Sequence, residues 1–295
     1  DERFFLYVQS VDPHTTYQVP EDYSSKYYEG KYKGPIGDSF TRDEQMVVDN
    51  GKMKVTDDDL AWIWALYRGE VTYQDRYLGD LMAKIDALGL AEDTLIVVTN
   101  DHGEEIQDHG GSGHGWPLFE EQIRAPLLMS FAPIFKPGRN IKTIIEHADL
   151  APTILDALGV APMKSAEGIS FLPFIEDGVG KRQHPFYTIA WSRKGMRSLR
   201  VGDWKLIAGK SSGWMYLYHL GDDPEEKNNL LAKGKAPEGK ALLVGRLCEI
   251  YMSEALATPD KAKRLEGAAQ KQRYNSQEIP IDDKTRKELE ALGYL

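Results

Sequence analysis

The chain has 295 residues, of which 41% are hydrophobic and 28% charged, a composition typical of a globular protein with a sizeable core. Its formal net charge of -10 argues against a nucleic-acid partner, and no apolar run approaches the roughly 20 residues that span a bilayer. The single cysteine, Cys248, excludes an internal disulfide and a cysteine-based zinc site.

The first third of the chain predicts a strand, a connection and a long helix. Arg3–Ser10 is rich in apolar residues and predicts a strand. A Tyr-, Gly- and Lys-rich stretch then continues to Asp57, and we expect it to form an extended loop. Apolar residues recur with helical spacing over Leu60–Leu88, and Gly89 is positioned to end that helix.

Further strands and a second helix continue this alternation. The runs Leu95–Thr99 and Pro126–Phe131 predict strands, the first of the kind that is buried on both faces of a parallel sheet. Glu146–Leu158 predicts a short amphipathic helix that ends at Gly159. We therefore expect an α/β fold, with part of a doubly wound mixed or parallel sheet and flanking helices.

The pattern changes near residue 183, where short β-rich runs are separated by turn residues. This spacing predicts a small antiparallel sheet followed by a helix over about Glu238–Leu256. We expect three regions: an α/β part over 1–182, the smaller β subdomain with its helix over 183–257, and a charged tail with a short terminal helix over 258–295. The β-rich runs are Phe186–Trp191, Met196–Val201, Trp204–Ala208 and Trp214–Leu220.

Chemistry-bearing residues cluster directly after the strand that ends at Thr99. Three histidines and four acidic residues lie within the fourteen positions from Asp101 to His114. Ligands bind where strands of open α/β sheets end, so Asp101 and His102 suit a metal site. Alternatively, Asp101 caps a turn and the histidines are solvated. Similarly, His14 follows Asp12-Pro13 and is either a turn residue or an acid–base group.

These segments together resemble the sulfatase family of the alkaline phosphatase superfamily. The resemblance runs in chain order over nearly the whole sequence, and it implies an alkaline phosphatase-like α/β fold. The motifs that carry it are FFLYVQSVDPHTTY from Phe4, Asp101-His102-Gly103-Glu104, Gly113-His114-Gly115, Phe119-Glu120-Glu121, Ile123-Arg124-Ala125-Pro126, His147-Ala148-Asp149, Leu217-Tyr218-His219-Leu220, Asp223-Pro224-Glu225-Glu226 and Leu292-Gly293-Tyr294.

The resemblance implies metal-assisted hydrolysis of a sulfate ester. Asp101 and His102 would bind a divalent cation, Ca²⁺ by family resemblance, with Mg²⁺, Mn²⁺ or Zn²⁺ left open by the mixed ligands. His14 would protonate the leaving oxygen or hold a sulfate oxygen, and His114 would contact the sulfate. Glu104 and Glu105 would either support the site or start a helix, and neither would bind the metal.

One family motif is absent. Sulfatases carry a Cys/Ser-x-Pro-x-Arg sequence whose first residue becomes the formylglycine nucleophile, and none occurs in these 295 residues. We therefore expect this chain to be the C-terminal half of a sulfatase, with formylglycine in a separate part and no activity in this chain alone. The alternatives are a phosphodiesterase or phosphomonoesterase of the same superfamily and a non-catalytic sulfatase-like fragment.

The expected partner is a sulfated small molecule or a glycan, with neither a nucleic acid nor a membrane span involved. Family resemblance suggests a periplasmic, secreted or lysosomal location. The sequence is silent on the oligomeric state.

Overall fold

The computed structural model describes residues 3–115, 118–141, 144–166, 168–176, 187–191, 196–209 and 215–232. The chain forms two compact units. The N-terminal unit comprises Asp1–His114 and Glu121–Pro137, and the C-terminal unit comprises Gly115–Glu120 and Gly138–Leu295. The boundaries predicted at residues 182 and 257 remain a prediction. The predicted helix at 238–256, the predicted tail and Cys248 lie outside the described residues.

In chain order the N-terminal unit contains short helices, one long helix and two small sheets. Its elements are α1 (Glu21–Ser24), α2 (Arg42–Asp49), α3 (Asp57–Ala87), a 3-10 turn (Ala91–Asp93), β1 (Ile96–Thr99), β2 (Glu105–Ile106) and β3 (Ser112–Gly113), followed by α4 (Glu120–Ile123), which starts in the other unit's segment, and β4 (Leu127–Ser130).

The long helix α3 has a recognised capping motif at each end. Thr56 accepts a hydrogen bond from the Asp59 backbone while the Asp59 carboxylate accepts one from the Thr56 backbone, which is a capping box. At the other end Gly89 adopts φ +69, and the next amide, of Leu90, donates to the Ile85 carbonyl. This Schellman arrangement confirms the predicted stop at Gly89.

The core of the N-terminal unit lies where α3 packs on the residues before it. Tyr17, Phe40, Ile63 and Leu66 are each at most 1% exposed in this cluster. The prediction of an extended loop up to Asp57 is therefore wrong in part, because this stretch contains α1 and α2 and contributes core side chains. Aromatic rings in a Tyr- and Gly-rich sequence bury a large area without needing regular periodicity.

The strands at the predicted metal-binding edge are present but differ in detail. β1 and β4 confirm the two predicted strands and pair antiparallel, with Ile96 opposite Ser130. β1 is half-buried rather than fully buried. Residues 3–10 form no strand and are exposed, because a strand requires a hydrogen-bonding neighbour and no described strand lies beside them.

The C-terminal unit combines a helix pair with a four-stranded sheet. Its elements are a 3-10 turn (His147–Asp149), α5 (Leu150–Ala157), α6 (Pro173–Glu176), β5 (Tyr187–Trp191), β6 (Met196–Val201), β7 (Trp204–Gly209) and β8 (Met215–His219). The four strands pair antiparallel in sequential order, as predicted. Gly159 follows α5 with φ +63 and confirms the predicted stop.

A buried ionic cluster lies in the C-terminal unit. Lys205 is fully buried, and its Nζ lies 3.0 Å from Glu120 Oε1 and 2.9 Å from Glu226 Oε1. Arg200 Nη1 lies 2.6 Å from the other oxygen of Glu120. Burial raises the pKa of Glu226, and the charge of Lys205 opposes that rise. The cluster joins Glu120, the first residue of α4, to strands β6 and β7 of the same unit.

Among the described residues, no helix is both long and apolar enough to cross a membrane. Even α3, with 31 residues, carries charged side chains along its length.

Candidate active site

The loop after β1 is held close to the residues of α4. The Gly103 amide donates to the Gln122 carbonyl over 2.7 Å. A Cβ atom on Gly103 would lie only 2.1 Å from the backbone oxygen of Glu121. Only glycine therefore fits at position 103. This close approach also restrains the backbone of Asp101 and His102, which come just before it.

Asp101 and His102 each direct a possible metal-ligand atom toward the other. The Asp101 Oδ2 and His102 Nε2 atoms are 3.6 Å apart, and the Asp101 side chain is 84% exposed. His102 Nδ1 lies 2.8 Å from the Gly103 carbonyl oxygen. A carbonyl only accepts, so Nδ1 carries the proton and Nε2 keeps its lone pair in the neutral ring.

Three histidine rings meet at this point of the N-terminal unit. The ring of His114 lies 4.0 Å from that of His102 and 5.2 Å from that of His14, centroid to centroid. His14 Nδ1 lies 2.7 Å from the Thr15 carbonyl oxygen, which leaves Nε2 as its open nitrogen. The structure thus brings together the three histidines that the sequence singled out, from loops up to 100 positions apart (His14 to His114).

A buried carboxylate lies beneath the histidines. The side chain of Glu104 is 3% exposed. Its Oε1 accepts a hydrogen bond from His114 Nδ1 and its Oε2 accepts one from the Tyr17 hydroxyl. Burial and the neighbouring Glu104 charge raise the pKa of Tyr17 above its ordinary value, so the hydroxyl stays a donor.

A second acidic and histidine cluster anchors the loop between β2 and β3. Glu105 accepts hydrogen bonds from the His109 and Gly111 amides over 3.1 and 2.9 Å, and from the Gln122 side chain over 2.9 Å. His109 Nδ1 lies 2.7 Å from Glu121 Oε1. Burial raises the pKa of Glu105. His109 lies in this loop and has a carboxylate partner.

Among the described residues, two groups have possible ligand atoms close enough together to hold a metal ion. His102, Glu104 and His114 have ligand atoms within 4.8 Å of one another, and so do Glu105, His109 and Glu121. The oxygens of Glu104 and Glu105 already accept protein hydrogen bonds, which a cation would have to displace.

The spacing of the predicted pair, Asp101 and His102, is compatible with a divalent cation. Two ligand atoms bound side by side to a cation at about 2.0–2.6 Å lie roughly 3–3.7 Å apart, and Asp101 Oδ2 and His102 Nε2 are 3.6 Å apart. The His102 ring also donates its other N–H to a backbone carbonyl, as metal-binding histidines commonly do. Asp101 itself is not in either compact group.

Sequence reasoning missed how Glu104 is used. The prediction gave it a supporting role, but nothing in the sequence connects it to Tyr17, which lies 87 positions away. From the sequence alone, the aromatic stretch from Tyr17 to Tyr32 is compatible with a substrate pocket or with a packed loop. Tyr17 is fully buried, and Tyr28 and Tyr32 pack against the core cluster, which favours the packed loop.

Comparison with known proteins places the chain in a family. The model described as Sulfatase matches residues 1–160, and one described as N-sulphoglucosamine sulphohydrolase, C-terminal, matches residues 113–252. The chain belongs to the sulfatase family. Its α/β class is that of sulfatases of the alkaline phosphatase superfamily, as predicted.

Several of the relatives are sulfatases at modest identity. Arylsulfatase K of Mus musculus is 27% identical over 189 residues, covering 60% of this chain and 34% of the mouse protein. N-acetylglucosamine-6-O-sulfatase of Bacteroides thetaiotaomicron is 29% identical over 211 residues, covering 68% of this chain and 37% of that protein. The chain therefore spans about a third of the length of the curated relatives it matches.

A solved structure shares the fold. A protein captured with its substrate D-glucosamine-2-N,6-O-disulfate superposes with a TM-score of 0.60 at 24% identity, over 70% of this chain and 43% of the other. At this identity the likeness concerns the fold alone.

Proposed function

We propose that this chain is part of a sulfuric ester hydrolase in which Asp101 and His102 hold a divalent cation and His14 and His114 contact the sulfate ester. The observation that carries the proposal is the meeting of three imidazole rings beside an exposed carboxylate, directly after β1. Family membership supplies the reaction class.

The two outer histidines suit complementary roles. His14 has Nδ1 engaged by a backbone carbonyl and Nε2 open, so it can donate a proton from Nε2 to the leaving oxygen. His114 donates from Nδ1 to Glu104, so Nε2 is its open nitrogen, and in the doubly protonated ring that nitrogen can donate a hydrogen bond to a sulfate oxygen.

The proposed ion is Ca²⁺. A bound divalent cation acts as a Lewis acid and lowers the pKa of a nucleophile that it contacts. The exposed Asp101 carboxylate suits an oxygen-binding cation, while the His102 nitrogen keeps Mg²⁺, Mn²⁺ and Zn²⁺ as competitors in the test.

We infer that the nucleophile lies outside these 295 residues and that this chain alone is inactive. Neither the single cysteine nor any serine lies in a Cys/Ser-x-Pro-x-Arg sequence. Large apolar side chains near the chain start are also exposed, from 61% for Phe4 to 86% for Phe5, as expected for a surface that another part of a longer protein covers. The competing hypothesis is a non-catalytic sulfatase-like chain.

The proposed substrate class is a sulfated glycan. Support comes from the N-acetylglucosamine-6-O-sulfatase relative, which covers 68% of this chain. Arylsulfatase K is as similar, so aryl sulfates serve as the comparison substrate. A periplasmic, secreted or lysosomal location goes with this proposal.

The test uses the full-length protein with a sulfated glucosamine, an aryl sulfate and a bis-aryl phosphate. Sulfate release is expected to exceed phosphate turnover. Faster hydrolysis of the phosphate would instead favour the phosphodiesterase alternative, and no turnover of any substrate would favour the non-catalytic one.

Asp101→Ala in the full-length protein is expected to abolish bound calcium and sulfatase activity. Asp93→Ala, which removes an exposed carboxylate ahead of β1, is the matched control and should retain both. Metal content by elemental analysis and calcium titration calorimetry provide the readouts. Full metal occupancy in Asp101→Ala would refute the ligand role.

A further inference from the structure

Each oxygen of the buried Glu104 carboxylate accepts a hydrogen bond from a side chain. One oxygen accepts from the Tyr17 hydroxyl and the other from His114 Nδ1. A buried carboxylate needs such donors, because losing water without replacing its hydrogen bonds costs several kcal/mol. The position of each partner is therefore tied to the other through Glu104.

The Tyr17 end of this connection is rigid. Its ring is fully buried and packs against Phe40 and Tyr67, with centroids 6.2 and 5.4 Å away. Its backbone exchanges both hydrogen bonds with Phe40, at 3.1 and 3.0 Å. The hydroxyl is therefore held by the core, and it fixes the plane of the Glu104 carboxylate.

The His114 end has little restraint of its own. Gly113 and Gly115 flank it with φ +86 and +87, a backbone conformation that glycine adopts freely. Neither flanking residue has a side chain that could support the ring. The contact with Glu104 is consequently the directional restraint that the described residues place on the imidazole.

We propose that Tyr17 and Glu104 are positioning residues that hold His114 in the Nδ1-protonated tautomer, with Nε2 turned toward the ligand. The catalytic meaning of this relay rests on the proposed sulfatase function, in which the His114 ring, once Nε2 also carries a proton, donates from Nε2 to a sulfate oxygen while Nδ1 stays bound to Glu104. Without Glu104, the imidazole is free to take the Nε2-protonated tautomer and to rotate between the neighbouring rings of His14 and His102.

The test is histidine-labelled long-range ¹H–¹⁵N NMR on the full-length protein, which separates the two tautomers of a neutral imidazole. The native protein is expected to show His114 protonated at Nδ1. Glu104→Gln should convert a large fraction to the Nε2-protonated form, because an amide offers one acceptor oxygen where the carboxylate offers two.

Glu105→Gln is the matched control. Glu105 is the next residue, is 1% exposed, and binds loop amides rather than His114. It should leave the His114 tautomer unchanged. An unchanged tautomer in Glu104→Gln, or an equal change in Glu105→Gln, would overturn the proposal.

Tyr17→Phe gives an independent variant if Glu104→Gln fails to fold. It keeps the buried ring and removes only the hydroxyl donor. The His114 Nδ1–H resonance should move while the tautomer stays Nδ1-protonated, because Glu104 remains. A His114 spectrum identical to the native one would count against the relay.

Activity measurements separate this proposal from the proposed function. A displacement of about 1 Å in a group that contacts the substrate can lower the rate about 100-fold, and we expect a loss of about 10- to 100-fold in kcat/KM for Glu104→Gln. A protein that hydrolyses no sulfate ester but shows the tautomer change would refute the function and keep the relay. If the native protein is an active sulfatase but Glu104→Gln shows no tautomer change, the proposed function is kept and the relay is refuted.

Discussion

The two units bury carboxylates in different ways. In the N-terminal unit, Glu104 is surrounded by a hydroxyl and an imidazole that donate hydrogen bonds. In the C-terminal unit, Glu226 faces the fully buried ammonium of Lys205. The charge of Lys205 offsets the desolvation cost of Glu226 by attraction, so removing that charge should be strongly destabilising. Hydrogen-bond donors offset the desolvation cost of Glu104 to a smaller extent, and the carboxylate can in turn position the His114 ring.

A third carboxylate shows what happens with fewer partners. Glu70 on α3 is 1% exposed. Its Oε1 accepts from the Gln18 amide over 2.6 Å, while Oε2 has no hydrogen-bond partner among the described residues. Burial raises the pKa of Glu70 to about 8, with smaller contributions from the charges of Asp12 and Glu104. This shift favours the protonated form of Glu70 near neutral pH, in contrast to the lowered pKa of an ion-paired acid.

The largest expected effect lies in the C-terminal unit. Lys205→Met should lower the free energy of unfolding by about 3–5 kcal/mol, because it leaves Glu226 buried without its counter-charge, while Glu120 keeps its ion pair with Arg200. Urea unfolding and hydrogen exchange of the β6 and β7 amides measure this loss. Lys205→Met combined with Glu226→Leu should recover part of it, and failure to recover any would mean that the ammonium acts mainly by packing.

Removing the charge in the N-terminal unit should cost less. Glu104→Gln is expected to lower the free energy of unfolding by about 1–3 kcal/mol, since the amide still accepts one of the two hydrogen bonds. Urea unfolding beside Lys205→Met gives the direct comparison. A larger loss for Glu104→Gln than for Lys205→Met would reverse the contrast between the units.

Glu70 should make stability depend on pH. Its folded pKa of about 8 exceeds the ordinary value of 4.5, so the folded state keeps a proton that the unfolded state releases. Stability from this group is fully present below about pH 4.5 and is lost as pH rises to 8, by at most about 1.4 kcal/mol per pH unit.

Glu70→Gln should flatten that dependence. Unfolding free energies of native protein and variant at pH 5, 6, 7 and 8 provide the measurement. Parallel curves for the two proteins would show that Glu70 is ionised in the folded state.

The smallest expected effect belongs to Tyr17. Tyr17→Phe should cost about 1 kcal/mol in unfolding free energy, because one hydrogen bond to Glu104 is lost while the ring contacts with Phe40 and Tyr67 remain. Thermal unfolding is sensitive enough for this change. A loss as large as that of Glu104→Gln would mean that the hydroxyl alone holds the carboxylate.

Local sequence signals predicted the elements well. The α3 stop at Gly89, the α5 stop at Gly159, strands β1 and β4 and the four-stranded antiparallel sheet all follow from periodicity and from turn residues close to the element. The sequence also predicted that Asp101 and His102 follow a strand, because the strand signal lies in the residues just before them.

What the sequence alone determined is the family, the order of elements and the residue types that carry chemistry. Tertiary structure alone decided that Glu104 joins Tyr17 to His114, that residues 3–10 have no strand partner among the described residues, and that Lys205 lies between two glutamates. The reason is physical: helices and turns depend on neighbours a few positions away, whereas burial of a charge depends on groups up to 106 positions apart, such as Glu120 and Glu226.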